Sequence, residues 1–208
     1  MLGLFGLKVG MTEIYKGDKL IPVSVVLAGP CKVIQIKNKE KDGYYSLKLG
    51  FIQVDPSKLN KPLKGVFEKA GLNEYYKIIG EIRVNEEIAK KYKVGDIIDV
   101  DLFKAGDLIK VTGKTKGRGF SGMIKRWNAS RGPMSHGSKH HRRPGSNATS
   151  RIGPTRPGKR RPGRYGDETV TIRNLEVVDV IKEKNLLLIK GSVPGANNSL
   201  LKIIKLSN

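Results

Sequence analysis

The chain has 208 residues, 38% of them hydrophobic, which suffices for one sizeable domain or two small ones around an apolar core. Its 40 Lys and Arg outnumber its 19 Asp and Glu, giving a formal net charge of +21 and a pI near 10.1, which indicates a polyanionic partner. A single Cys excludes an intramolecular disulfide and fits a reducing compartment, and without a signal-peptide pattern or a membrane-length apolar run we expect a cytoplasmic protein.

Before residue 108 the pattern is mainly that of β-strands separated by polar turns. Runs rich in β-branched and aromatic residues predict five strands, at 21–28, 31–38, 44–54, 76–84 and 96–103. Asp42-Gly43 predicts a turn between the second and third of these strands. Cys31 is interpreted as a small, buried residue of a strand.

Helices are expected to be few and short. One is predicted at 65–72 and ends at Gly71, and a second at 86–92 begins after Asn85, with acids in its first turn and bases in its last. A third is expected at 120–127.

Most of the excess positive charge lies in one internal segment between Asp107 and Asp167. Residues 108–166 contain 16 Lys or Arg and no acid, so they contribute +16 of the net +21. Self-repulsion in such a segment disfavours compaction unless an anion neutralises it. The segment therefore points to a polyanion as its partner.

The same segment has little with which to build a core. Between residues 128 and 169 the sizeable apolar side chains are Met134, Ile152 and Tyr165, among five Pro and seven Gly. Such a composition cannot offset the entropy of ordering by burying apolar surface, so we expect an extended segment that becomes ordered against a partner. An Arg-Pro-Gly triplet, which combines a guanidinium, a bend and a thin backbone, recurs in it at irregular spacing.

After the basic segment the β pattern returns. Residues 168–191 predict three short strands, with a tight turn at Lys184-Asn185. Short strands with polar turns are typical of an antiparallel sandwich or a closed barrel, so the fold class is mainly β. The segment interrupts this β domain, and its two ends should emerge close together to form a long arm.

Metal and catalytic sites receive little support from the residues. His136 and His140 have the spacing of two ligands on one helical face, but the Gly and Pro residues around them disfavour a helix. A nucleophilic pair of Cys31 with a histidine is conceivable from residue types alone. The Gly-rich stretch 113–122 does not match the phosphate-loop motif, although its amides could cradle nucleic-acid phosphates. We predict no enzyme activity, no metal and no cofactor.

Basic and ring side chains in this region are the predicted RNA contacts. Guanidinium groups pair with phosphates and stack on bases, and imidazole and indole rings stack on unpaired bases. Trp127 has two interpretations, a packing role at the base of the arm and a contact with a base. The predicted RNA-binding residues are Lys114, Lys116, Arg118, Lys125, Arg126, Trp127, Arg131, His136, Lys139, His140, His141, Arg142, Arg143, Arg151, Arg156, Lys159, Arg160, Arg161 and Arg164.

Four stretches, in order along the chain, carry a family resemblance. They are GLKVGMT (6–12), VTGKTKGRGFSGMIKRW (111–127), SHGSKHHRRPGS (135–146) and NLLLIKGSVPGA (185–196). Together they resemble the universal large-subunit ribosomal protein L-three family in its bacterial form. The second stretch is the most specific of the four.

The resemblance implies a fold and a domain plan. The fold would be a β-barrel of the translation-protein type formed by 1–125 and 166–208, with a small α/β insertion at about 55–94. An extended basic arm at 126–165 would be inserted in the barrel domain. The glutamine that some relatives methylate in this loop has no counterpart, because Gln35 and Gln53 both lie outside it.

The resemblance also implies a function. The protein would be a structural constituent of the large subunit in the cytoplasmic ribosome. It would bind 23S-type rRNA near the 3′ end, nucleate early assembly, and send its arm toward the peptidyl transferase centre. Its expected protein neighbours are the large-subunit proteins L-fourteen and L-nineteen, and neither a membrane nor a small-molecule substrate is expected.

Two alternatives from other classes stay open at this point. A DNA-compacting architectural protein would share the basic arm, but its apolar wedges would have to come from Met134 and Ile152. An RNA-modifying enzyme would require a cofactor pocket or acid–base residues, and the sequence offers no pattern for either.

Overall fold

The structure is a computed structural model that describes residues 2–146 and 154–206. Its contacts divide the chain into two compact units. Met1–Lys114 and Thr169–Asn208 form the first, here called the body, and Thr115–Glu168 form the second, here called the basic unit.

The described residues form twelve strands and four α-helices. The strands are β1 (Gly3–Lys16), β2 (Lys19–Ala28), β3 (Cys31–Lys37), β4 (Ser46–Gln53), β5 (Tyr76–Arg83), β6 (Ile97–Ile98), β7 (Leu108–Lys114), β8 (Phe120–Ser121), β9 (Gly163–Arg164), β10 (Thr169–Ile181), β11 (Leu186–Lys190) and β12 (Leu200–Lys205). The helices are α1 (Lys39–Asp42), α2 (Lys61–Lys69), α3 (Glu86–Lys91) and α4 (Met123–Trp127).

Six strands of the body close into an antiparallel barrel in the order β1-β12-β7-β10-β11-β2. Alternate side chains point to opposite faces of a strand. In β11, Leu187 and Ile189 are therefore buried in the main core, whereas Leu188 packs with Val23 and Val178 in a separate small cluster. The prediction of a mainly β fold is confirmed, and of the two architectures considered the closed barrel is the one observed.

A second sheet, in the order β5-β4-β3-β6, belongs to the same body and shares its main core. Gly80 of β5 lies so close to the ring of Phe5 in β1 that an added Cβ would overlap it. Helix α2 buries Phe67 in a satellite cluster with Ile34 and Tyr76. The expected 55–94 insertion contains α2, β5 and α3, while the sheet that they join also uses β3, β4 and β6.

Several predicted elements are confirmed with small changes of boundary. The strands at 21–28, 31–38, 44–54 and 76–84 correspond to β2, β3, β4 and β5, and the helix at 86–92 corresponds to α3. The predicted turn is a short helix, α1, which Gly43 ends in a left-handed conformation with φ of 79°.

Other predicted elements are wrong in extent or number. Residues 96–103 form only β6 and a 3-10 turn, and α2 begins at Lys61 rather than 65. Residues 168–191 form two strands, not three, because β10 continues through a register shift between Ile172 and Leu175. The helix expected at 120–127 is shortened to α4, since Phe120 and Ser121 pair as β8. Strands β1, β7 and β12 were not predicted.

Candidate nucleic-acid interface

The basic unit begins and ends in a neck where its two chain segments are hydrogen-bonded to each other. Thr115 N donates to the Glu168 carbonyl at 2.9 Å, and Glu168 N donates to Thr115 Oγ1 at 3.2 Å. Further along, Arg118 N donates to the Tyr165 carbonyl at 2.8 Å. The backbones approach closely here because Gly166 has φ of 74°, and a Cβ at that position would overlap the Lys116 carbonyl. The neck holds the two ends of the segment together, as the sequence predicted.

Beyond the neck, β8 and β9 form a two-stranded ladder that leads into α4. Phe120 pairs with Arg164 and Ser121 with Gly163. Helix α4 follows at once and ends at Asn128, which takes the left-handed conformation at φ of 56°. This ladder places the α4 side chains beside the returning strand.

Trp127 and Arg126 both donate to one backbone carbonyl of the returning segment, that of Arg161, just before β9. The indole Nε1 donates to the Arg161 carbonyl at 3.0 Å, and Arg126 Nη1 donates to the same oxygen at 3.1 Å. The guanidinium groups of Arg126 and Arg160 lie 5.0 and 5.8 Å from the indole centroid, within cation–π range. Trp127 therefore fastens the base of the arm, yet 41% of it is exposed, which leaves ring surface available to a base.

The histidine-containing segment is a compact, non-helical loop. Gly132 N donates to the His141 carbonyl at 3.0 Å, and the His141 Nδ1 lies 2.9 Å from the Pro133 carbonyl, which it contacts as a donor in the Nδ1-protonated tautomer. His136 has a positive φ of 56°. The expectation that Gly and Pro prevent a helix here is confirmed. The loop fixes His141 through its backbone contacts and leaves His136 and His140 exposed.

Two side-chain hydrogen bonds lie further along the arm. The first joins its outgoing and returning parts, and the second lies within the returning part. Lys159 Nζ donates to the Ser146 carbonyl at 2.6 Å, and Arg161 Nη2 donates to Thr155 Oγ1 at 3.4 Å. Arg151, a predicted contact, and Ile152 lie outside the described residues.

The structure leaves nearly all the predicted RNA-binding side chains open to solvent. Lys114 lies in β7 of the body, and the others that the structure describes belong to the basic unit. Only Arg126 and His141 among those described are partly buried. Because residues 108–166 contain no acid, their cations cannot be neutralised from within the segment. The described part of the basic unit thus presents many exposed donors of the type that bind phosphate oxygens.

Two exposed aromatic residues in this unit were missed in the sequence analysis. Phe120 is 82% exposed and stands opposite Arg164 in the ladder, and Tyr165 is 39% exposed. Exposed rings beside guanidinium groups are suitable platforms for base stacking. The available signal was the position of each aromatic residue inside a glycine-rich, basic stretch, where no core could bury it.

The described residues give little support to a cysteine nucleophile, a metal site or a membrane-spanning helix. Cys31 is buried at the start of β3, its thiol contacts the backbone of Phe5, and burial raises the pKa of the thiol to about 12, which disfavours a thiolate nucleophile. Within residues 2–146 and 154–206, no group of three or more His, Cys, Asp or Glu is arranged to hold a metal ion. No helix in this part of the chain has the length and apolar character to cross a bilayer.

Comparison with known proteins agrees with the geometry. The family profile of ribosomal protein L3 matches residues 52–185. The large ribosomal subunit protein uL3 of Carboxydothermus hydrogenoformans is 52% identical over 204 residues, covering 97% of this chain and 95% of that protein. Proteins of the same name from Thermotoga petrophila and Fervidobacterium nodosum are each 50% identical, over 96% and 94% of this chain and 95% and 94% of their own lengths. The chain belongs to the ribosomal protein L3 family.

Proposed function

We propose that the chain is a structural constituent of the large subunit of the cytoplasmic ribosome and acts by binding large-subunit rRNA. The body would dock on the RNA surface near its 3′ end and nucleate early assembly. The arm, residues 126–165, would thread between RNA helices toward the peptidyl transferase centre. The family is structural, and the chain is not an enzyme.

The observation that carries this proposal is that residues 115–166 of the basic unit contain no acid and that most of their described cations are exposed. RNA helices that pack together repel each other through their phosphates, and cations placed between them lower that repulsion. The arm supplies such cations on a backbone rich in Gly and Pro, which can occupy narrow spaces. The arginines proposed for this role are all exposed: Arg142, Arg143, Arg156, Arg160, Arg161 and Arg164.

The neck and the Trp127 clamp support a positioned arm. The hydrogen bonds at Thr115–Glu168 and at the Arg161 carbonyl fix both ends of the segment. An arm fixed at both ends can be placed more accurately than a free tail. We propose that this is why the basic residues lie inside the sequence and not at a terminus.

Crosslinking in cells, with sequencing of the attached RNA and mapping of the linked peptides, tests the proposal. Peptides from 131–146 and 154–166 are expected to crosslink to the peptidyl transferase region, and body peptides to other parts of the large-subunit rRNA. Crosslinked proteins should include large-subunit neighbours, with L-fourteen and L-nineteen as the proposed ones. Crosslinks scattered over many RNAs, or mainly to DNA, would instead favour a general nucleic-acid-compacting protein.

A further inference from the structure

The body contains a basic cleft whose lining includes none of the predicted RNA-binding residues. It has a volume of about 390 Å³ and is lined by Tyr44, Glu81, Arg83, Lys110, Lys202 and Ile204. Three of these six side chains are cations, and they come from three different strands, β5, β7 and β12. The fold, rather than the local sequence, brings them to one place.

The sheet register explains how the two lysines meet. Lys202 of β12 pairs with Thr112 of β7, and Ile204 pairs with Lys110, so Lys110 and Lys202 are diagonal neighbours on the outer face of the barrel. Diagonal neighbours have Cα atoms about 7–8 Å apart, close enough for two long side chains to reach one anion. Lys202 is partly buried, and its amine donates to the Glu81 carbonyl at 2.5 Å.

Glu81, the acid in the cleft lining, already has partners for its carboxylate. The Glu81 carboxylate binds Lys37 at 2.8 Å and accepts a hydrogen bond from the Tyr44 hydroxyl at 2.9 Å. The hydrogen bond from Lys37 lowers the pKa of the Glu81 carboxyl, so that this acid is charged but committed to Lys37. Arg83 lies over the Tyr44 ring with its guanidinium carbon 5.0 Å from the centroid.

The cations in the cleft act on one another. Burial lowers the pKa of Lys202, and the charges of Lys110 and Arg83 lower it further, while Glu81 opposes them. Positive charges held together at a concave, partly desolvated surface are stabilised by an anion that contacts several of them. The planar guanidinium of Arg83 and the two ammonium groups provide the donors that phosphate oxygens accept.

We propose that this cleft binds a backbone phosphate of the large-subunit rRNA, with Arg83, Lys110 and Lys202 as its donors. The inference rests on the proposed function and adds a second anchoring point, on the body, to the contacts expected from the arm. It assigns the outer face of β7 and β12, together with the adjoining edge of the second sheet, to the RNA side of the molecule.

The test compares two full-length double variants that remove the same charge. Arg83→Gln with Lys110→Gln empties the cleft of two donors, and Lys77→Gln with Lys184→Gln removes two exposed lysines from elsewhere on the body. Binding to purified large-subunit rRNA is measured over a range of salt concentrations. The cleft variant is expected to bind about tenfold more weakly, since hydrogen bonds to charged groups are lost. Its slope of log affinity against log salt should be smaller by about 0.7–0.9, as for one phosphate contact.

A second measurement needs no substitution. Lysine acylation of the wild-type protein, read by mass spectrometry, should show Lys110 and Lys202 protected by RNA, with Lys77 as the reference that stays reactive. Protection absent from both lysines would overturn the proposal even if a variant had proved unstable.

The outcomes separate the cleft from the general function. If the wild type binds rRNA with a steep salt dependence and the two double variants behave alike, the cleft proposal is wrong and RNA binding stands. If the wild type shows no steep salt dependence, the proposed function itself fails. If inorganic phosphate raises the unfolding temperature of the wild type but not of the cleft variant, while rRNA binding is equal in both, the cleft is a site for free phosphate and the RNA assignment is overturned.

Discussion

At the scale of single residues, Cys31 is a buried cysteine whose thiol packs in the core and does not act as a nucleophile. Its thiol contacts the backbone of Phe5 where the second sheet begins, and burial raises its pKa to about 12. Since the thiolate is the reactive species, alkylation by iodoacetamide at mildly alkaline pH should be at least about a hundredfold slower in the folded protein than in denaturant. Mass spectrometry over time checks this, and equal rates in the two states would show that the thiol is exposed.

Two glycines of the body form a matched pair for a packing test. A Cβ on Gly80 would overlap the Phe5 ring, whereas Gly65 in α2 has nothing within 4 Å of that position. Gly80→Ala should lower the free energy of unfolding by about 1–3 kcal/mol through overpacking. Gly65→Ala should raise it by about 0.5–1 kcal/mol, because Ala favours the helix. Denaturant unfolding measures both, and destabilisation by the two substitutions alike would contradict this account of the core.

At the scale of elements, the basic unit should be removable from the body. Lys114 and Thr169, which flank it, are cross-strand partners of β7 and β10. Replacing 115–168 with Asn-Gly would join them through a two-residue turn suited to a hairpin. The shortened chain should keep its β-sheet circular dichroism and one cooperative thermal transition.

A smaller deletion with different boundaries serves as the control. Removing only 129–164 would delete β9 and leave β8 without its ladder partner. We therefore expect this smaller deletion to retain a folded body but expose more of Phe120 and Trp127. A body that unfolds when 115–168 is replaced would refute the division into two units.

Sequence patterns predicted the elements with strong local signals and missed those whose signal was ambiguous. Strands β2 to β5 are rich in β-branched or aromatic residues, but β1 contains three Gly residues and reads as an irregular segment. In β10, Arg173-Asn174 resembles a turn. Asn174 does adopt a left-handed conformation, with φ of 58°. The residues form a β-bulge inside one continuous strand, however, and not a turn between two strands. Local composition cannot distinguish a bulge from a turn.

The candidate binding surfaces also include one that the sequence predicted and one that it could not predict. The basic arm was predictable because its charge and its lack of core residues are properties of contiguous sequence. The cleft formed by Arg83, Lys110 and Lys202 was not, because those residues lie far apart in sequence and meet only through the strand pairing of β12 with β7 and the packing beside β5.

At the scale of the whole molecule, the charge distribution predicts the salt dependence of RNA binding. If about ten phosphates are contacted, log affinity should fall by roughly 7 to 9 for each tenfold rise in salt. Filter binding or fluorescence anisotropy with large-subunit rRNA measures this slope. The protein without residues 115–168 should show a much smaller slope, and a wild-type slope near 1 or 2 would be incompatible with an RNA-threading arm.

The order of strands in the barrel has a consequence for synthesis of the chain. The first strand, β1, pairs with the last, β12, so that Gly3 lies opposite Ile204. A growing chain cannot close the ring until β12 has been translated, and by then the whole basic unit has already been made. Until closure, the outer edges of β1 and β2 have no permanent partners and the cationic segment has no finished body behind it. Newly made protein therefore has an open sheet edge beside a cationic segment until β12 is in place, and under the proposed function this is the stage at which binding to RNA would protect it most.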